Sequence, residues 1–186
     1  MTKLKPFSRS LALLLAALIA WSVSAQTPTL QPKTIELPKY LGTWYQVALY
    51  PNRFQSQCVS DTTATYRELP NGQIEVTNAC RMANGEMTKV VGAARSVPGA
   101  VSGQLQVRFA PAWLSWLPFV WANYWVIDVP GDYRYAVVSE PQREFLWVLS
   151  RTLALNATDD AAVRQMLQAQ GFDLVRLQNH AHPPAK

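Results

Sequence analysis

The chain has 186 residues, enough for one domain of ordinary size. Hydrophobic residues make up 49% and charged residues 16%, a globular composition that excludes a disordered chain. The formal net charge is +5, but with Lys3, Lys5 and Arg9 set aside 14 Lys and Arg face 12 acids, a net of about +2. That balance excludes the basic stripe of a nucleic-acid partner.

The first segment reads as an export signal. Lys3, Lys5 and Arg9 form its positive region, "LALLLAALIAW" (Leu11 to Trp21) its apolar region, and "SVSA" a cleavage site after Ala25. The competing reading is a membrane anchor. The apolar run is about 11 residues, against about 20 needed to span a bilayer. No cysteine stands near the expected cleavage point, so no lipid attachment is expected there. The remainder divides into a leader over 26–37, one domain over 38–178 and a mobile tail over 179–186.

From residue 40 to 151 short alternating segments are broken by turn signals. "TWYQVALY" comes first. "TTATYREL" and "IEVTNAC" flank "PNGQ", whose Asn71-Gly72 is a strong hairpin signal. "MTKVVGAARSV" turns through "PGAVSG" into "QLQVRFA", "NYWVIDV" through "PGD" into "YRYAVVSE", and "PQR" leads to "EFLWVLSR". Eight consecutive antiparallel strands with hairpin links form a meander, and eight close into an up-and-down barrel that leaves no exposed edge. The fold class is therefore all-β, with one helix on the barrel flank. That helix is read from "ATDDAAVRQMLQAQGF", with Thr158 or Asp159 as cap, Val163, Met166 and Leu167 at helical spacing, and Gly171 as stop. "DLVRL" is a candidate last strand.

Strand parity then sorts the side chains. With Trp44 inward, Gln46 and Ala48 follow. Ala64 and Tyr66 face in from the second strand, and Ile74, Val76 and Asn78 from the third. Leu105, Val107 and Phe109 come from the fifth, Tyr124 and Val126 from the sixth, Tyr135 and Val137 from the seventh, and Phe145, Trp147 and Leu149 from the eighth. The interior is apolar and aromatic, with Ala48, Ala64, Gly92 and Ala94 leaving room. Such a barrel has space for one small ligand. An indole at the start of the first strand would plug one end, and Gly42 lets the entering chain pass beneath it. Arg151 follows the last strand, which neighbours the first, so Trp44 capped by Arg151 forms a floor through a stacked guanidinium. The alternative is a plain core tryptophan beside an unrelated surface arginine.

These residues carry a family resemblance. "LGTWYQVA" resembles the Gly-x-Trp signature of the lipocalins, "GDYRYAVV" (Gly131 to Val138) their second motif, and "LWVLSR" (Leu146 to Arg151) their third. The fit covers about residues 38 to 178. "CVSDTTATYRELPNGQIEVTNAC" and "EFLWVLSRT" resemble the bacterial lipocalin group, with similarity also to apolipoprotein D. The chain departs from the pattern at Gly131, where Thr is common, and at Gln46, where relatives often carry Glu. It also lacks the anchor cysteine of the outer-membrane members. The resemblance implies binding and transport of a small lipophile, with fatty acids and lysophospholipids favoured. The export signal without an anchor cysteine makes the periplasm the expected location, and the resemblance adds an association with the outer membrane and a role in envelope lipid maintenance as expectations.

Successive links alternate between the barrel ends, so with the floor at the start of strand one the first link (51–60), the third and the fifth belong to the open mouth. Cys58 and Cys80 therefore lie at one end on neighbouring strands. Export makes a disulfide the expectation, with two free thiols as the alternative. Link five, "PAWLSWLPFVWA" (Pro111 to Ala122), carries Trp113, Trp116, Phe119 and Trp121, too apolar for an ordinary solvent loop. It is read as a lid, as a contact with a membrane interface, or as a homodimer contact. Arg53, Arg81 and Arg143 lie on or beside mouth links and could meet a phosphate or carboxylate there; the alternative, favoured for each, is a solvated surface residue. His180 and His182 fall in the tail, away from the barrel, and the cysteines are best used on each other. No catalytic residue, metal site or cofactor is therefore expected, and a binder is favoured over a lipocalin-fold enzyme or a pure interaction protein.

Overall fold

The computed structural model describes residues 28–183; the expected signal segment, 1–25, and the last residues of the tail, 184–186, lie outside the described residues. Eight antiparallel strands close into a barrel: β1 (Gly42–Leu49), β2 (Cys58–Glu68), β3 (Ile74–Met82), β4 (Met87–Ser96), β5 (Gln104–Arg108), β6 (Ala122–Asp128), β7 (Tyr135–Ser139) and β8 (Leu146–Ser150). Each pairs with the next and β8 returns to β1. The expected fold class is the observed one. The β2–β3 turn shows the local chemistry: Gly72 takes φ of 76°, and Asn71 Oδ1 accepts from the Gln73 amide at 3.1 Å.

Two apolar clusters flank the barrel wall. One fills the closed half of the interior, around Trp44, Tyr66, Ile74, Val76, Leu105, Val126, Ala136 and Val138. The other lies between the wall and the helix α2 (Ala157–Ala169) and holds Val47, Ala48, Tyr135, Val137, Val148, Val163 and Leu167. Asn156, not Thr158 or Asp159, caps α2, accepting from the Asp159 amide at 2.9 Å. The Asp159 carboxylate is engaged instead by Arg134 at 2.7 Å, which holds it below the ordinary carboxylate range. Gly171, at φ of 79°, ends the helix, and the Phe172 amide closes on the Leu167 carbonyl. The candidate strand "DLVRL" instead holds a 3₁₀ turn at Leu174–Arg176, and the last strand, β9, is Gln178–Asn179.

Both chain ends are woven into the wall. In the leader, Lys33 exchanges backbone bonds with Val126 and Gly103, and Ser102 Oγ donates to the Ile35 carbonyl at 2.6 Å. A Cβ on Gly103 would stand 2.2 Å from the Lys33 carbonyl oxygen, so only glycine admits this crossing. A four-residue helix, α1 (Leu37–Tyr40), then delivers the chain to β1. At the other terminus, β1 and β2 pair only from Gly42 to Tyr45 and part beyond it. The tail fills the gap: Asn179 pairs with Ala48, the His180 amide donates to the Val47 carbonyl, and the Asp61 amide donates to the Ala181 carbonyl. The tail expected to be mobile is, through residue 182, part of the barrel.

Candidate functional site

The closed end is built on one tryptophan. Trp44 is fully buried, and its indole nitrogen donates to the Tyr40 carbonyl at 2.8 Å. The Arg151 guanidinium lies 3.6 Å from the indole centroid and donates to the carbonyls of Thr43, Lys39 and Leu41, each at 2.8 Å. Of the two readings of Trp44 and Arg151, the stacked floor is the geometry present. Gly42 has φ of 91°, a conformation that L side chains rarely adopt, and a Cβ there would sit 3.5 Å from the guanidinium.

Above the indole lie three tyrosines. The hydroxyl of Tyr124 contacts that of Tyr66 at 2.6 Å and that of Tyr40 at 2.8 Å. Burial pushes the Tyr66 phenol up to about 12, and those of Tyr40 and Tyr124 also well above the ordinary value. All three are neutral hydroxyls at physiological pH. Tyr40 escaped the sequence reading because it stands in a single helical turn, where strand alternation carries no signal.

Over this floor opens a cavity of about 780 Å³. Gln46, Ala64, Tyr66, Val76, Asn78, Val107, Phe109, Tyr124, Phe145 and Trp147 line it. Ile74, Leu105 and Val126 face inward but belong to the packed layer beneath it. Ala48, Tyr135 and Val137 do not face it; they pack under α2. The β1–β8 register shifts between Gln46 and Ala48, which turns Ala48 outward. All five residues of β7 are buried, because its outer face is also covered, so hydrophobicity could not distinguish its inward pair, Ala136 and Val138. Gly92 leaves no void either: the Phe109 ring occupies the place of its missing side chain.

Strand parity could not find the loop contributors. Gln55, from the first link, donates to Gln46 Oε1 at 2.9 Å and accepts from the Trp147 indole at 2.6 Å. Arg53, from the same link, and Lys89, from β4, also reach the cavity mouth. Arg81 is engaged by Asp61 at 2.6 Å, and Arg143 by the Gln170 carbonyl at 2.9 Å, so neither is free for a ligand head group. Cys58 and Cys80 are bridged, with Cα atoms 5.5 Å apart. The bridge ties the end of the first mouth link to β3.

Link five folds as two 3₁₀ turns, Ala112–Leu114 and Pro118–Val120. Trp113, Trp116 and Phe119 are 74%, 76% and 80% exposed, and Phe119 also borders the cavity. Trp121 differs from them: it is 8% exposed, its ring 3.9 Å from the Arg95 guanidinium, and its indole nitrogen donates to the Ser115 carbonyl. It fastens the loop to the wall and is not part of the exposed surface. The histidines also depart from expectation. His180 Nε2 lies 2.7 Å from Thr62 Oγ1, and His182 Nε2 lies 2.8 Å from the Gln46 carbonyl, so both imidazoles sit on the barrel. Among the described residues, no group of three or more His, Cys, Asp or Glu is placed to hold a metal ion.

A closed meander, a tryptophan floor backed by a stacked arginine and a one-ended apolar cavity define a ligand-binding β-barrel. The chain belongs to the lipocalin family: the family model described as a lipocalin-like domain matches residues 35–182. It is 33% identical over 172 residues to the outer membrane lipoprotein Blc of Vibrio cholerae, covering 91% of this chain and 96% of that one. It is also 33% identical over 147 residues to temperature-induced lipocalin-1 of Arabidopsis thaliana, covering 78% of each. Mouse apolipoprotein D is 28% identical over 154 residues, covering 78% of this chain and 76% of that one. Among solved structures, insecticyanin of Manduca sexta shares the fold with a TM-score of 0.64 at 19% identity, covering 84% of this chain and 86% of that one.

Proposed function

We propose that the protein binds a fatty acid or lysophospholipid in its barrel and carries or stores it in the bacterial envelope. The observation that carries this reading is the cavity of about 780 Å³, walled by aliphatic and aromatic side chains and open at one end. An acyl tail with about ten buried carbons gains roughly 8 kcal/mol at about 0.8 kcal/mol per methylene, near micromolar affinity before ordering costs. The head group stays at the mouth, where Arg53 and Lys89 offer positive charge to a phosphate or carboxylate. Similarity to an outer membrane lipoprotein supports an envelope location. The exposed Trp113, Trp116 and Phe119 support loading from a lipid surface, since indoles prefer the membrane interface.

Replacing Trp113, Trp116 and Phe119 together by Ser is expected to reduce liposome co-sedimentation and slow the uptake of a fluorescent fatty acid. If delipidated wild type takes up no fatty acid, the carrier reading fails. If the variant keeps both properties but loses dimerisation, the loop is an interface between copies.

A further inference from the structure

We infer that the deep end of the cavity is a polar subsite for an oxygen function, and that the cargo is a hydroxylated lipid whose hydroxyl lies in its buried half. The inference rests on the carrier reading and names the chemical class within it. In an eight-stranded barrel β2 and β6 are diametrically opposed. Tyr66 on β2 and Tyr124 on β6 reach across the axis until their hydroxyls meet at 2.6 Å, while the Tyr40 hydroxyl touches Tyr124 at 2.8 Å. Three hydroxyls carry three protons, and their two mutual contacts use two. None of the three makes another hydrogen bond among the described residues. Tyr40 does not reach the cavity, whereas Tyr66 and Tyr124 line it, so whenever Tyr40 donates to Tyr124 the third proton lies on a hydroxyl that a cavity oxygen can meet.

Two amides add to the unused capacity. Asn78 pairs with Ala64 while Val76 pairs with Tyr66, which puts Asn78 one step above Tyr66 on the inner wall. Its Oδ1 is buried with no partner among the described residues. Gln46 Oε1 accepts from Gln55 Nε2, but Gln46 Nε2 is buried and unpartnered among the described residues. Both side chains line the same cavity. A bare methylene chain at this depth leaves these groups without a partner, at the standing cost of buried polar atoms that make no hydrogen bond. A hydroxyl both donates and accepts, so it can serve the Asn78 acceptor and the tyrosine donor together. A ketone serves only the donor.

The test is competition against a fluorescent fatty acid on the delipidated full chain, with stearic acid compared with a series of hydroxystearic acids differing in hydroxyl position. The expected result is that isomers with the hydroxyl in the buried half bind about five- to tenfold tighter than stearic acid. In Tyr124→Phe and in Asn78→Leu that ratio falls toward one. If stearic acid binds wild type as tightly as every hydroxy isomer, the inference is overturned while the carrier reading stands. If no member of the series binds, both are overturned.

Discussion

At the scale of single residues, the closed end depends on Arg151. Its guanidinium covers the Trp44 face and donates to carbonyls of the segment entering β1, so one cation ties the last strand to the start of the first. Arg151→Ala removes a cation–π contact and several charge-assisted hydrogen bonds, and leaves carbonyls to find water. It should destabilise the fold by about 2–3 kcal/mol, read as a lower midpoint in urea with an unchanged slope. The pairing of Trp44 with Arg151 was legible because both lie at fixed positions on strands that barrel closure makes neighbours. The three-tyrosine layer above was not: Tyr66 and Tyr124 were each read as lining, but nothing in one-dimensional spacing states that two side chains from opposite walls will meet.

At the scale of elements, legibility followed how many faces of a strand are dry. Along β5 and the residue after it, Leu105, Val107 and Phe109 alternate with Gln104, Gln106 and Arg108, and the structure turns those three toward the interior. β7 is buried on both faces and β1 changes register midway, so parity failed on Tyr135, Val137 and Ala48. The tail was misread because a Pro-rich polar segment gives no hint of a parted seam. In that seam His180 faces Thr62, with His182, Asp61 bonded to Arg81, and Arg164 near Asn179 around it. Burial, then the neighbouring His182, hold the His180 pKa below its ordinary 6.5, while a bond with the Ser60 backbone and then Asp61 pull the other way. A lowered histidine is favoured neutral, so the seam is most secure above 6.5. It loses stability as pH falls through 6.5 toward the folded value, because the released tail takes up the proton first. Amide exchange of residues 178–182, corrected for intrinsic rates, should be faster at pH 5 than at pH 7.5. Equal protection at both would show that the imidazole does not govern the seam.

At the scale of the whole molecule, the architecture was the most legible level, since eight alternating segments with short links admit few closures. The cavity was less so, because loop residues such as Gln55 obey no periodicity and yet build its rim. The Cys58–Cys80 bridge fastens that rim across a sequence separation of 22. The double replacement Cys58→Ser with Cys80→Ser should lower unfolding free energy by about 3 kcal/mol, measured by denaturant titration beside the oxidised parent.

The hydrogen bond from Arg143 to the Pro28 carbonyl has a practical corollary. Arg143 stands in the last hairpin link, whose neighbours Gln142 and Glu144 border the cavity, so the polypeptide reaches the barrel from the entrance side before it runs down the wall to Tyr40. A fluorophore coupled at residue 28 would sit beside the doorway and report cargo passing through it. A bulky fusion partner joined there would stand in the way.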